Sequence, residues 1–162
     1  MSKLPTRDPV RTGGGGYELP LLLLAGFRAI IDELHTELST RGHPDARPAH
    51  GFVLQAIGLD GATASEVARR LGVSKQAAGK SIERIEVLGY AARIADEMDG
   101  RRKVVRLTDY GVDLLTQSAR ILDRIHRRWV RALGVDRVRA LESDLRSMTP
   151  SAVFRLDLAG WL

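Results

Sequence analysis

Cysteine is absent from the 162 residues. Without a thiol there is no disulfide, no thiolate metal site and no cysteine redox switch. Aromatic residues make up only 5% of the chain, so Leu, Ile, Val and Ala on helices must supply most of the core. No apolar run is long enough to cross a bilayer, because Leu21–Leu24 soon meets Arg28, Asp32 and Glu33. The first twenty residues hold no apolar core segment, so no signal peptide is expected and the chain reads as cytoplasmic. The P-loop, G-x-S-x-G and H-E-x-x-H patterns are missing, and His35, His43, His50 and His126 form no H-x-x-x-H pair. The expectation is a protein that is not an enzyme, with no cofactor, no metal site and no membrane partner.

What is present is an uneven charge. Residues 69–106 carry ten Lys or Arg against five Asp or Glu, a surplus equal to the +5 of the whole chain. A concentrated positive segment in an otherwise balanced chain points to a polyanionic partner; a solvated face with no partner is the alternative.

The pattern along the chain is mostly helical. Residues 1–19, with the run Gly13–Gly16, read as a flexible arm. Pro20 suits the first position of a helix carrying Leu21, Leu24, Phe27, Ile30, Ile31, Leu34 and Leu38 at helical spacing. Gly42 and Pro44 end it, and Pro48 opens a second helix. The segment "TASE" from Thr63 is a capping box for a third. Gly72 suits its C-terminus, and Ser74 caps a fourth whose inner face is Ala78, Ile82 and Ile85. The period then changes: Tyr90–Ala95 and Lys103–Leu107 read as a β-hairpin around the polar loop Asp96–Arg102. Thr108 caps a long helix with a heptad stripe of Leu115, Leu122 and Trp129, and His126 on the Val112–Ala119–Leu133 row is expected buried and neutral. A last amphipathic helix holds Val138, Leu141, Leu145 and Met148.

Two short helices joined by "LGVS" and followed by a hairpin make a winged helix-turn-helix. The second helix of such a motif enters the major groove by its N-terminal part. Its outward residues here are Ser74, Lys75, Gln76, Ala77, Gly79, Lys80 and Arg84. Gln76 can bond both major-groove atoms of an adenine, and Lys75 and Lys80 suit phosphates. A glycine inside a helix costs about 1 kcal/mol against Ala. Either close approach to DNA or tight helix packing would justify Gly79.

The order of these elements, with "ASEVARRLGVSKQAAGKSIERIEVLGYAAR" and the wing "DEMDGRRKVVRLTDYG", resembles the MarR family of bacterial transcription regulators over about residues 20–148. The most specific likeness is Asp99, Gly100 and Arg101 followed by Leu107, Thr108 and Gly111. The resemblance implies that Arg101 enters a minor groove with Asp99 orienting it; Gly100 stands where the family often has a charge. Arg102 and Lys103 are candidate backbone contacts. It also implies a homodimer with interlocked first and last helices, on a pseudo-palindromic double-stranded DNA operator. A small aromatic or anionic effector is implied between the dimer helices and the DNA-binding lobe, with Arg28, His50, Phe52 and Trp129 as candidate contacts.

The expected fold is mainly α with a small β-wing, a winged helix-turn-helix plus a helical dimerisation region. Its parts are an arm (1–19), an N-terminal dimerisation helix (20–46), the DNA-binding domain (47–108) and C-terminal dimerisation helices with a tail (109–162). The expected function is a sequence-specific transcriptional regulator, a repressor released by a ligand. The alternative is a winged-helix module for protein contacts or DNA architecture without a ligand.

Overall fold

A computed structural model describes residues 16–95 and 103–148. The chain is mainly helical, with one small antiparallel sheet. Helix α1 is Glu18–Thr40, α2 Pro48–Ile57, α3 Ala64–Leu71 and α4 Lys75–Val87. Strands β1 (Ala91–Ala95) and β2 (Lys103–Leu107) form the wing, and α5 (Asp109–Leu133) and α6 (Val135–Met148) complete the order. No helix among the described residues is long and apolar enough to cross a membrane.

The helix boundaries follow from local chemistry. Pro48 stands at the first position of α2, where its missing N–H has no helical partner to lose. Thr108 Oγ1 accepts the Gly111 N–H at the start of α5, and Asp109 adds a negative charge to that first turn. α1 begins at Glu18 rather than Pro20, inside the segment expected as an arm. Pro20 still falls within the first turn, where N–H groups are unpaired and Glu18 favours the helix dipole. Residues 1–15 of that arm, and the tail from 149 on, lie outside the described residues.

One core joins α1 to α5 and the wing. Leu38, Leu54, Ile57, Val67, Ile82, Ile85, Val105, Leu114 and Ile121 are all essentially buried within it. Each such side chain contributes roughly 1.5–3 kcal/mol by leaving water. Ile82→Ala would lose that transfer energy and leave a cavity, for a cost of about 2–5 kcal/mol.

Helix α5 corrects one expectation, that of a buried His126. Its buried row is Gly111, Leu114, Ile121 and Ile125. Leu115 and Trp129 are only partly buried at the edge of the core, and Val112, Leu122 and Leu133 are exposed. α5 carries apolar residues on more than one stripe, and contacts from α1 and α2 decide which stripe turns inward. His126 is half-exposed, and its Nε2 meets Glu142 of α6 at 3.1 Å. His126 and Glu142 both stand at the rim of the crevice between α5 and α6 that Trp129 also lines.

The ends of the molecule leave apolar surface uncovered. In α1 only Leu34 and Leu38 are buried, while Leu19, Leu21, Leu22, Leu23, Leu24 and Phe27 are 43–64% exposed. α6 buries Val138 and leaves Leu141, Leu145 and Met148 exposed.

Candidate nucleic-acid interface

The site is built on the turn between α3 and α4. At its entry Thr63 and Glu66 cap each other: Thr63 Oγ1 accepts the Glu66 N–H at 3.3 Å, and Glu66 Oε2 accepts the Thr63 N–H at 2.7 Å. Gly72 takes the left-handed conformation, φ 68° and ψ 27°, which a side chain would disfavour. The chain then turns so that Val73 packs partly into the core and donates its N–H to Ala68 O at 3.0 Å. Ser74 Oγ accepts the Ala77 N–H at 3.1 Å and starts α4. Arg70 adds a tie that sequence reading missed. Its Nη1 donates to the carbonyls of Ala56 (2.6 Å) and Ile57 (3.3 Å), satisfying the C-terminal end of α2.

α4 presents two faces. Ala78, Ile82 and Ile85 are fully buried. Ser74, Lys75, Gln76, Ala77, Lys80 and Arg84 are exposed, and Gly79 is half-buried. A β-carbon at Gly79 would meet nothing within 4 Å. Packing within the chain therefore does not require glycine there, which removes one of the two explanations open from the sequence.

The wing stands beside α4. β1 and β2 pair antiparallel from Ala91↔Leu107 at the root to Ala95↔Lys103 at the outer end, where Lys103 is exposed. Asp99, Arg101 and Arg102, with the intervening Gly100, lie outside the described residues. The outer edge of β2 is held by Ala62, which exchanges two backbone hydrogen bonds with Val105, both 2.9 Å. The outer edge of β1 is held by Glu86 of α4. Glu86 Oε1 accepts the Arg93 N–H at 3.0 Å, and its Oε2 lies 3.0 Å from an Arg93 guanidinium nitrogen.

The root of the wing is anchored by aromatic stacking. Tyr90 is buried and stacks on Tyr110, with centroids 4.6 Å apart. Tyr110 in turn stacks on buried His43 and donates its hydroxyl to Gly42 O at 2.6 Å. His43 Nε2 meets Asp113 Oδ2 at 2.9 Å, which holds the Asp113 carboxyl below its usual range. Burial pushes the Tyr90 phenol well up. None of these three rings was singled out from the sequence. His43 and Asp113 are 70 residues apart, so no local spacing could have signalled the pair.

The four candidate ligand contacts are not gathered in one cavity. Phe52 lines a crevice of about 90 Å³ between α1, α2 and α5, together with Leu34, His35 and Leu115. Trp129 lines another of about 220 Å³ with Ile30, Val138 and Leu141. Arg28 is exposed on α1. His50 is buried in the first turn of α2, where its Nδ1 accepts the Arg47 N–H at 3.2 Å. Among the described residues no cluster of His, Cys, Asp and Glu could hold a metal ion.

Comparison with known proteins agrees with this architecture. Residues 47–102 match the model of the MarR family. A mutant of MepR from S. aureus, bound to an oligodeoxyribonucleotide, superposes with a TM-score of 0.56 at 20% identity, over 84% of this chain and 99% of MepR. CouR from Rhodococcus jostii RHA1, bound to p-coumaroyl-CoA, gives 0.61 at 20% identity over 82% and 92%. YusO from Bacillus subtilis gives 0.59 at 24% identity over 83% and 94%. Among curated protein sequences none matches significantly.

Proposed function

We propose that this chain, whose residues 47–102 match the model of the MarR family, is a homodimeric, sequence-specific DNA-binding regulator. The observation that carries the reading is the outer face of α4. Lys75, Gln76, Lys80 and Arg84 stand exposed beside an open Gly79, on a helix held rigidly by its buried face. A protein that had no use for that face would not need a cationic surface with room left at its centre. DNA bound to the related MepR fold supports the same reading.

In this mechanism α4 enters the major groove. Gln76 reads a base edge, and Lys75, Lys80 and Arg84 meet phosphates, which position the helix without reading sequence. Residues 96–102 join β1 to β2 past the Ala95↔Lys103 pair. Arg101, steered by Asp99, is assigned to the minor groove, whose narrow stretches concentrate negative potential. Arg102 and Lys103 contact the backbone.

The exposed apolar residues of α1 and α6 form the dimer seam, since a monomer rarely leaves so large an apolar patch in water. Residues 20–46 and 109–162 then serve as dimerisation segments, and 47–108 as the DNA-binding domain. Two-fold symmetry requires a pseudo-palindromic operator with half-sites about one helical turn apart. A small aromatic or anionic effector in the crevice that Phe52 lines, between α1, α2 and α5, would release a repressor of this kind. CouR holding p-coumaroyl-CoA supports that class of ligand. The site of action is the cytoplasm.

Selection of bound duplexes from a random pool tests the function. Recovery of a two-fold symmetric sequence is expected. A pool with no enriched sequence would favour an architectural role, and no binding at low salt would favour a protein-contact module.

A further inference from the structure

We infer that Glu86 is a positioning residue for DNA recognition: it fixes the wing against the recognition helix α4. The inference rests on the DNA-binding reading above and adds a specific device to it.

The geometry follows from the register of the hairpin. Arg93 pairs with Val105, and Val105 turns its own N–H and C=O outward to Ala62. Opposed residues in an antiparallel ladder share this orientation, so the Arg93 N–H points away from β2, out of the free edge of β1. An edge strand leaves such groups unpaired unless something covers them. Glu86 covers this one. One carboxylate oxygen accepts the Arg93 N–H and the other pairs with the Arg93 guanidinium, both at 3.0 Å. A single side chain of α4 thus grips both backbone and side chain of the same wing residue. With Ala62 on the opposite edge, the two-stranded wing is held from both sides.

Glu86 is one residue from the end of α4, and Arg93 is at the middle of β1. The pair therefore sets the angle between the element assigned to the major groove and the element that carries the loop assigned to the minor groove. Both must reach DNA in one pose, so an unfixed angle would lose binding in ordering the wing. Glu86 itself carries the wrong charge for a phosphate contact. Its presence on a cationic surface opposes DNA binding by simple electrostatics, and that gives the test its sign.

The experiment titrates the selected duplex and a random duplex with wild type, Glu86→Ala, Glu86→Gln and Glu83→Ala. Glu83 is exposed on the same helix and serves as the charge control. Removal of charge alone tightens binding to both duplexes. Positioning predicts that Glu86→Ala binds the selected duplex at least about tenfold more weakly, or about 1.4 kcal/mol, while its binding to random duplex is unchanged or tighter. Glu86→Gln keeps an amide oxygen for the Arg93 N–H and recovers a substantial part of the loss. Glu83→Ala shows no loss. Thermal melting of Glu86→Ala falls by only a few degrees, because a partly exposed ion pair at the protein surface contributes little to stability. Equal or tighter binding of the selected duplex by Glu86→Ala, or a Glu86→Gln variant as weak as Glu86→Ala, overturns the assignment. If wild type binds neither duplex, the DNA-binding reading fails and this inference falls with it.

Discussion

Gly111, in the first turn of α5, lies directly against the carbonyl of Tyr90 at the root of the wing, so closely that a β-carbon there would collide with the Tyr90 carbonyl oxygen. That carbonyl also accepts the Thr108 N–H at 3.1 Å, and Thr108 Oγ1 donates to Gly89 O at 2.6 Å. The contact brings the long helix onto the wing with no side chain between them. Gly111→Ala should therefore destabilise the protein by about 3 kcal/mol, near the upper end of the cost of overpacking, because the obstacle is backbone and cannot rotate away. The drop in melting temperature by circular dichroism measures it. A melting temperature equal to wild type would show that α5 does not need this approach.

Gly79 behaves in the opposite way. It has ordinary helical conformation and open space at its β-carbon. Gly79→Ala should raise stability by about 0.5–1 kcal/mol through helix propensity and still weaken binding of the selected duplex. Tighter melting with weaker binding separates a surface kept clear for DNA from a glycine with no task. If affinity is unchanged, the open space is not used by DNA.

Acid should loosen the fold in two stages. Burial lowers the pKa of His35 and His50 below the usual 6.5, with help from nearby arginines. Both are neutral in the folded chain, and His50 Nδ1 must stay unprotonated to accept the Arg47 N–H. The unfolded chain binds more protons below that pH, so stability is full above about 6.5 and falls as pH drops. A second loss comes from Glu33 and Glu37. Hydrogen bonds from Arg128 and Arg124 of α5 hold both carboxyls below the usual 4.5. Their contribution is present above that value and disappears as pH falls through the lowered one. Melting temperatures measured from pH 7.5 to 3.5 should decline in these two windows. A flat or rising profile between pH 7 and 5 would contradict the histidine assignment.

The dimer assignment makes a separate prediction. Leu22 is 62% exposed on α1 and supports no core packing, so Leu22→Glu should leave the secondary structure intact. It should shift the mass in solution, by light scattering, from two chains toward one and weaken operator binding. A wild-type protein that runs as a single chain at micromolar concentration would remove the seam from α1.

Local signals were legible in the sequence. Thr63, Ser74 and Thr108 each cap a helix through a bond to a residue three positions on, and Gly72 takes the left-handed turn that "LGVS" implies. Spacing alone carries that information. Long-range choices were not legible. Apolar residues on α5 offered more than one stripe, and only packing by α1 and α2 turned Leu114 and Ile121 inward rather than the heptad of Leu115, Leu122 and Trp129. Arg70 on the Ala56 carbonyl, Glu86 on Arg93 and Arg128 on Glu33 bring together residues 14, 7 and 95 positions apart. Each joins two different elements, and no periodicity within one element announces it. At the interface, the residue types on α4 were readable, but the empty space at Gly79 was not.

The central claim is that the exposed face of α4 reads DNA sequence. Its most direct test is fluorescence anisotropy with the selected duplex and a scrambled duplex of equal composition, from 50 to 200 mM salt, as an order-of-magnitude range over which counterion release is large. The account predicts a preference of about 10³-fold or more for the selected duplex, with affinity for both falling steeply as salt rises. Equal affinity for the two duplexes at every salt concentration would contradict it.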